Sequence, residues 1–160
     1  MRPMKTILVA VDFSIYSAEV IRLAVNLAHA LQAELAVVNV LNQRDVDAME
    51  MVERTFPSLN VSQFIRQATE DRLQRIEKLL LEEGAGRLNV KKAVKIGVPY
   101  REILKAVDEE QADLLVMGTR GRSSLSDALF GSTAEKVFQR CPVALLSVRP
   151  EPHAQEAAER

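Results

Sequence analysis

Short apolar runs alternate with amphipathic stretches along the whole chain. The first run, KTILVAV, is a continuous β-rich segment, which is typical of a parallel strand buried on both faces. The third run, NVKKAVKI, alternates apolar and polar residues, which favours a position nearer an edge of the sheet. The predicted strands span residues 5–11, 34–40, 89–96, 112–118 and 143–148.

The stretches between these runs have the apolar spacing of helices. Ser14 is a plausible N-cap for the first helix, Gly84 and Gly86 end the second, and Pro99 suits the first turn of the third. The predicted helices span residues 14–32, 61–83, 99–111 and 132–140. Residues 41–60 show no clean period, which predicts a mobile loop or irregular helix. Strands separated by helices predict right-handed crossovers and a three-layer α/β sandwich.

A chain of 160 residues suits one domain, here residues 1–149, followed by a polar, flexible tail over residues 150–160. The net charge of −1 and the absence of Trp argue against nucleic acid or an anionic membrane as a partner. The apolar run before Asp12 is too short for a membrane span or a signal peptide, so we expect a cytoplasmic protein.

Few residues suggest metal binding or nucleophilic catalysis. Cys141 is the only cysteine, which excludes an internal disulfide and a cysteine-rich zinc site, and a small buried residue is favoured over a nucleophile. His29 and His153 lack partners at the spacing that a metal site or a general base needs. We therefore predict neither a metal site nor a catalytic residue.

Half of the six glycines lie in MGTRGRSSLSDALFGST, residues 117–133. This stretch joins the carboxyl end of the predicted fourth strand to the next helix, at the sheet edge where ligands of parallel α/β proteins bind. If the strand order is 3-2-1-4-5, the crevice opens between strands one and four. Asp12 and Gly118 then face one cleft.

The residue types in this stretch favour an anion. Glycines allow backbone N–H groups to approach a ligand, and the helix that Gly131 and Ser132 open attracts phosphate. The hydroxyls of Ser132 and Thr133 could add hydrogen bonds, and Arg120 or Arg122 could neutralise charge. The alternative is that the glycines only make turns and that Ser132 only caps the helix.

Two residues outside the glycine stretch complete the predicted site. Asp12 suits the vicinal hydroxyls of a ribose, or else caps the first helix beside Ser14. Val40 could line an adenine pocket through its backbone, or else be ordinary core. A P-loop GxxxxGK[ST] is absent, and no GxGxxG follows the first strand, which argues against a dinucleotide-binding dehydrogenase.

The spacing Gly118-x-x-Gly121, nine residues, then Gly131-Ser132 is similar to the G-2x-G-9x-G(S/T) signature of ATP-binding universal stress proteins. The segments ILVAVDFSIYS, IGVPYREIL and CPVALLSV also resemble that family, and the resemblance covers about residues 4–149. It implies a Rossmann-like fold with a five-stranded parallel sheet in the order 3-2-1-4-5. It also implies a homodimer through the last strand, Val143 to Val148, whose apolar edge invites pairing.

The resemblance further implies that the ligand is ATP, or AMP or ADP, with Mg²⁺ or Mn²⁺. Asp12 would bind ribose, Val40 would hold adenine by its backbone, and the glycine stretch would cradle ribose and phosphates. The implied binding residues, with the two arginines, are Ala10, Val11, Asp12, Val40, Met117, Gly118, Arg120, Gly121, Arg122, Gly131, Ser132 and Thr133. Two departures are Ala10, where many members have proline, and Asn39, which replaces a common histidine and to which no functional consequence is attached.

Three functions remain open on the sequence. The first is a regulatory protein that binds ATP and changes shape or partner affinity with occupancy. The second is a slow ATPase or a self-phosphorylating protein with acceptors among Ser123, Ser124 and Ser126, although the sequence offers no convincing base. The third is a partner-binding module that does not use nucleotide, which the intact glycine signature disfavours.

Overall fold

The computed structural model describes residues 3–120 and 131–149. The elements in chain order are β1 (Thr6–Ala10), α1 (Ser17–Leu31), β2 (Glu34–Asn42), α2 (Gln43–Thr55), α3 (Val61–Glu82), β3 (Val90–Gly97), α4 (Pro99–Glu109), β4 (Leu114–Gly118), α5 (Ser132–Arg140) and β5 (Ala144–Val148). The strands pair in parallel in the order β3-β2-β1-β4-β5. The predicted α/β fold and its strand order are confirmed.

Two apolar layers cover the two faces of the sheet. Because side chains alternate along a strand, Ile7 and Val9 of β1 join the core with α1 and α3, whereas Leu8 and Ala10 join the core with α4 and α5. All four side chains are buried. The central strand is therefore buried on both faces, as its continuous apolar run predicts.

The prediction of a loop or irregular helix over residues 41–60 is wrong for residues 41–55, and residues 56–60 form a loop. β2 continues to Asn42, and the regular helix α2 follows it directly. The side chain of Asn42 accepts a hydrogen bond from the backbone N–H of Arg44 at 3.1 Å, which caps the helix. Val46 is the one residue of α2 that is buried, so the helix has too narrow an apolar face to show a period in the sequence.

The start of α1 is also corrected. The helix begins at Ser17 with Tyr16 as its N-cap, and Ser14 lies in the preceding turn instead of capping the helix. The end of α3 agrees with prediction, because Gly84 follows it with a φ of +84°, a conformation that favours glycine. No helix in the described ranges is long and apolar enough to cross a membrane. The predicted tail, residues 150–160, lies outside those ranges.

The two edge strands differ in how they are protected. On β3, Lys92 and Lys95 form ion pairs with glutamates of α3 and α4, and Lys91 pairs with Glu110, the residue that follows α4. Charged side chains of this kind discourage a second strand from pairing with an edge. On β5, the exposed residues are Ala144 and Ser147, so the described part of the chain places no comparable barrier at this edge.

Two isoleucines at opposite extremes of exposure test the packing. Ile21 of α1 is fully buried, whereas Ile15 in the turn before α1 is 74% exposed. We expect Ile21→Ala to lower the free energy of unfolding by about 2–5 kcal/mol, because it leaves a cavity in the core. Ile15→Ala should change it by no more than about 0.5 kcal/mol. Urea denaturation followed by circular dichroism measures both, and equal losses would contradict this packing.

Candidate functional site

A cavity of about 230 Å³ opens at the carboxyl ends of β1, β2 and β4. Every predicted site residue within the described part of the chain lines it, namely Ala10, Val11, Asp12, Val40, Met117, Gly118, Arg120, Gly131, Ser132 and Thr133. Gly121 and Arg122 lie outside the described residues. The structure thus brings together residues far apart in sequence, and their role as ligand contacts stays a prediction.

The cavity lies where the direction of the strand order reverses. β1 is flanked by β2 on one side and by β4 on the other, with Ala10 opposite Val38 and Met117. The chain leaves β1 toward β2 and leaves β4 toward β5, so the two exits diverge. Diverging exits leave a crevice between them, which is where ligands bind in open parallel sheets.

Asp12 is held in a tight turn at the mouth of this crevice. Its Oδ1 accepts hydrogen bonds from the backbone N–H of Ser14 at 2.9 Å and from the hydroxyl of Ser17 at 3.3 Å. These bonds organise the turn before α1 without capping the helix, whose N-cap is Tyr16, so the capping alternative is wrong. A carboxylate has about four acceptor positions, so this structural role is compatible with binding a ligand hydroxyl as well.

Phe13 adds strain and a long-range contact to the same turn. Its φ is +58°, a left-handed conformation that is a genuine outlier for a bulky residue. The guanidinium of Arg75, on α3, lies 4.1 Å from the centre of the Phe13 ring. This cation–π contact stabilises the turn from outside the cavity. Neither residue stood out in the sequence, because their contact depends on the packing of α3.

Asn39 also positions the Asp12 turn, and the sequence analysis attached no consequence to it. The side chain is 1% exposed, and its Nδ2 donates a hydrogen bond to the backbone carbonyl of Val11 at 2.8 Å. This bond fixes the peptide that leads into Asp12. Its Oδ1 is buried with no hydrogen-bond partner among the described residues. A polar residue within the apolar run AVVNV is the sequence signal that could have revealed this role.

Thr119 fixes the chain at the end of β4, as Asn39 does after β1. Its backbone N–H donates to the carbonyl of Val148 at 3.0 Å, and its own carbonyl accepts from the N–H of Gly131 at 2.8 Å. One residue therefore joins β4, the end of β5 and the start of α5. Its hydroxyl oxygen is buried with no partner among the described residues.

The start of α5 excludes one alternative from the sequence analysis. The N-cap is Gly131, in an extended conformation, and no side chain accepts a capping hydrogen bond there. Ser132 therefore does not cap the helix. The N–H groups of a first helical turn have no partner within the helix, and the helix dipole makes that end electropositive. Gly131, Ser132 and Thr133 present this end to the cavity.

The backbone conformation does not require a glycine at position 118. Its φ lies outside the left-handed region. An added Cβ would lie 3.4 Å from the carbonyl oxygen of Arg120 and 3.5 Å from Cγ2 of Val20, which are ordinary contacts. At Gly97, by contrast, φ is +153° and a Cβ would lie 2.7 Å from Cγ of Glu102. Gly118 is therefore not needed to make a turn. Val20 and Arg120 both line the cavity, so the missing side chain leaves space within it.

The sequence analysis set aside Cys141, His29 and His153. His29 is exposed on α1, and His153 lies outside the described residues. Cys141 is a free cysteine, partly buried against the core layer of α4 and α5. Within the described ranges, no group of three or more His, Cys, Asp or Glu side chains could hold a metal ion. The cavity thus offers backbone donors, hydroxyls, a carboxylate and an arginine, which are groups that bind a phosphorylated, hydroxylated ligand.

Comparison with known proteins agrees with this architecture. A universal stress protein of Thermus aquaticus is 35% identical over 147 residues, covering 91% of this chain and 98% of that protein. The solved structure of the protein MJ0577 superposes with a TM-score of 0.75 at 23% identity, covering 94% of this chain and 99% of that chain.

Two further solved structures contain nucleotides. One is a universal stress protein in complex with cAMP, with a TM-score of 0.63 at 22% identity, covering 92% of this chain and 98% of that chain. The other is the universal stress protein of Archaeoglobus fulgidus in complex with dAMP, with a TM-score of 0.63 at 21% identity, covering 91% of this chain and 98% of that chain. The model of the universal stress protein family matches residues 3–149. The chain therefore belongs to the universal stress protein family.

Proposed function

We propose that the cavity binds an adenine nucleotide, ATP or its di- or monophosphate, and that the protein acts as a regulatory homodimer. The observation that carries the proposal is the wall formed by Gly118 and the start of α5. The fold leaves a glycine where a Cβ would make ordinary contacts, and it leaves the first turn of a helix without a side-chain cap. Both features leave backbone donors accessible, which suits phosphate groups.

The opposite wall suits the nucleoside. Asp12 is fixed by its hydrogen bonds to Ser14 and Ser17, and a carboxylate can accept paired bonds from the vicinal hydroxyls of ribose. The half-buried Val40, near the end of β2, offers its backbone to an adenine edge. The relatives that bind cAMP and dAMP support an adenine nucleotide as the class of ligand.

A divalent cation, Mg²⁺ or Mn²⁺, belongs to the proposal as a companion of the phosphates. The described residues bring no cluster of acidic or imidazole ligands to the cavity. Phosphate oxygens and water would therefore supply most of the coordination, as is usual for Mg²⁺ with nucleotides. Asp12, held by its hydrogen bonds to Ser14 and Ser17, is the carboxylate that lines the cavity.

The dimer would form through β5. This strand contains no lysine, and the residues that the structure describes give it no ion-paired cover of the kind that protects β3. Pairing of two β5 strands about a twofold axis would satisfy the open backbone groups of both chains.

We also place the protein in the cytoplasm, in keeping with the sequence prediction.

Gly118→Ala provides the direct test of the phosphate wall. We expect the variant to keep its urea midpoint, because the new Cβ makes only ordinary contacts. We expect its affinity for Mg-ATP to fall by about tenfold or more, equal to about 1.4 kcal/mol, because the methyl group occupies space in the cavity. Isothermal titration calorimetry on protein freed of bound nucleotide measures both affinities.

Gly86→Ala is the matched control, since Gly86 lies far along the chain from the site and a Cβ there meets nothing within 4 Å. It should bind Mg-ATP as the wild type does. Equal affinities for all three proteins would place the phosphates elsewhere. Absence of binding by the folded, nucleotide-free wild type would remove the proposal.

Ala144→Lys tests the β5 interface. A lysine on an exposed strand edge should repel its symmetry mate and weaken the dimer, whereas Ala30→Lys on the exposed face of α1 should leave it intact. Sedimentation equilibrium should give twice the chain mass for the wild type and for Ala30→Lys, and a lower mass for Ala144→Lys at low concentration. A monomeric wild type would contradict the dimer.

A further inference from the structure

Outside the cavity, three cationic side chains surround one aromatic ring. The centre of the Tyr100 ring lies 5.7 Å from the guanidinium carbon of Arg101, 5.2 Å from Nζ of Lys136 and 5.6 Å from the guanidinium carbon of Arg140. Tyr100 and Arg101 belong to the first turn of α4, and the other two belong to α5. We call these four residues the Tyr100 patch.

Among the described residues, no carboxylate forms an ion pair with the cations of the patch. Within the described ranges, the ion pairs of this protein involve other cations, and none includes Arg101, Lys136 or Arg140. Arg101 donates to the Tyr100 hydroxyl at 3.0 Å, and Arg140 donates to the Lys136 carbonyl at 3.4 Å and to Oε1 of Gln139 at 3.2 Å. These partners are neutral, so three positive charges remain together on a chain whose net charge is −1.

The pKa of Tyr100 reflects the same excess of positive charge. The hydrogen bond from Arg101 lowers the pKa of the Tyr100 phenol below its ordinary value of 10.0, and the charges of Arg101, Arg140 and Lys136 lower it further. Partial burial raises the pKa and opposes this effect without cancelling it. An anion bound to the three cations would remove part of this stabilisation of the phenolate.

The patch combines a partly buried aromatic ring with exposed cationic side chains. Tyr100 packs partly buried against the core layer of α4 and α5. Arg101, Lys136 and Arg140 are exposed. Tyrosine and arginine are enriched among the residues that dominate protein interfaces, since they combine large contact area with specific polar groups.

We propose that the Tyr100 patch is a docking surface for an acidic segment of a partner protein. The three cations project from two helices, Arg101 from α4 and Lys136 and Arg140 from successive turns of α5, so they match several carboxylates on a flexible chain better than a single small anion. A nucleic acid would require a longer basic track along its phosphates, and the net charge of the chain disfavours that partner. The inference is independent of nucleotide binding.

The patch shares both of its helices with the cavity. Pro99, which precedes Tyr100, lines the cavity, and so does Ser132, one helical turn before Lys136. An acidic segment on the patch would therefore contact the two helices whose first turns border the cavity.

Fluorescence anisotropy with a fluorescein-labelled decaglutamate peptide tests the proposal. We compare the wild type with the variant Arg101→Gln, Lys136→Gln, Arg140→Gln. The matched control is Arg44→Gln, Arg54→Gln, Arg66→Gln, which removes three exposed arginines of α2 and α3 that are also without a carboxylate partner in the described ranges. Both variants change the net charge equally.

We expect the affinity of the patch variant to fall by about tenfold or more, and that of the control to change by less than about twofold, at low ionic strength where charge pairs are weakly screened. Absence of binding by the wild type, or equal losses in the two variants, would overturn the proposal. So would displacement of the peptide by a single-stranded DNA oligonucleotide of equal length at a lower concentration. Circular dichroism and urea midpoints confirm that each variant is folded.

Tyrosinate absorbance at 295 nm gives a second readout at the patch itself. Tyr100→Phe identifies the contribution of Tyr100 to the alkaline titration. Saturating decaglutamate should raise the pKa of Tyr100, because carboxylates that pair with the three cations weaken their stabilisation of the phenolate. An unchanged titration in the presence of bound peptide would place the peptide elsewhere and overturn the assignment.

Discussion

The pairing of β1 with β4 is the constraint on which the rest of the structure depends. Ala10 lies opposite Met117 in this pair, so two chain segments more than a hundred residues apart end side by side. The crossovers then leave in opposite directions, and neither helix can cover the ends of both strands. The cavity is a consequence of this topology. The path of the backbone creates the cavity, and the side chains determine only its chemistry.

The buried polar side chains of the described residues, Ser17, Asn39 and Thr119, all line that opening, and the strained backbone of Phe13 lies beside it. Asn39 holds the carbonyl of Val11, Thr119 joins β4 to the start of α5, and Phe13 adopts a left-handed conformation beside Asp12. Each feature costs free energy in isolation and is maintained by the packing around it, such as the contact of Arg75 with Phe13. Departures from local preference of this kind concentrate at functional sites. Here they fix the two chain segments that border the cavity, so a ligand meets a preorganised wall.

The outer surfaces of the protein differ from one another in how their charges are paired. The edge at β3 is protected by ion-paired lysines, whereas the described residues provide no such protection at the edge of β5. The helices α4 and α5 place three cations around one ring without a carboxylate partner among the described residues, whereas the lysines of β3 pair with glutamates. A protein with a net charge of −1 that leaves cations clustered on one ring has a surface suited to an acidic partner. Cavity, strand edge and cationic patch occupy different parts of one sheet-and-helix framework.

The sequence by itself determined the fold class and, through family resemblance, the strand order and some of the residues that meet in the cavity. It could do so because strands buried on both faces form continuous apolar runs. Glycines at the end of a strand can also be recognised in the sequence alone. Only the tertiary structure decided that residues 43–55 form a helix, since α2 buries little and shows no apolar period. It also decided that Gly118 is not a turn glycine, that Asn39 and Arg75 support the Asp12 turn, and that Tyr100 collects three cations. These facts depend on dihedral angles and on contacts between distant segments, and neither is encoded in local periodicity.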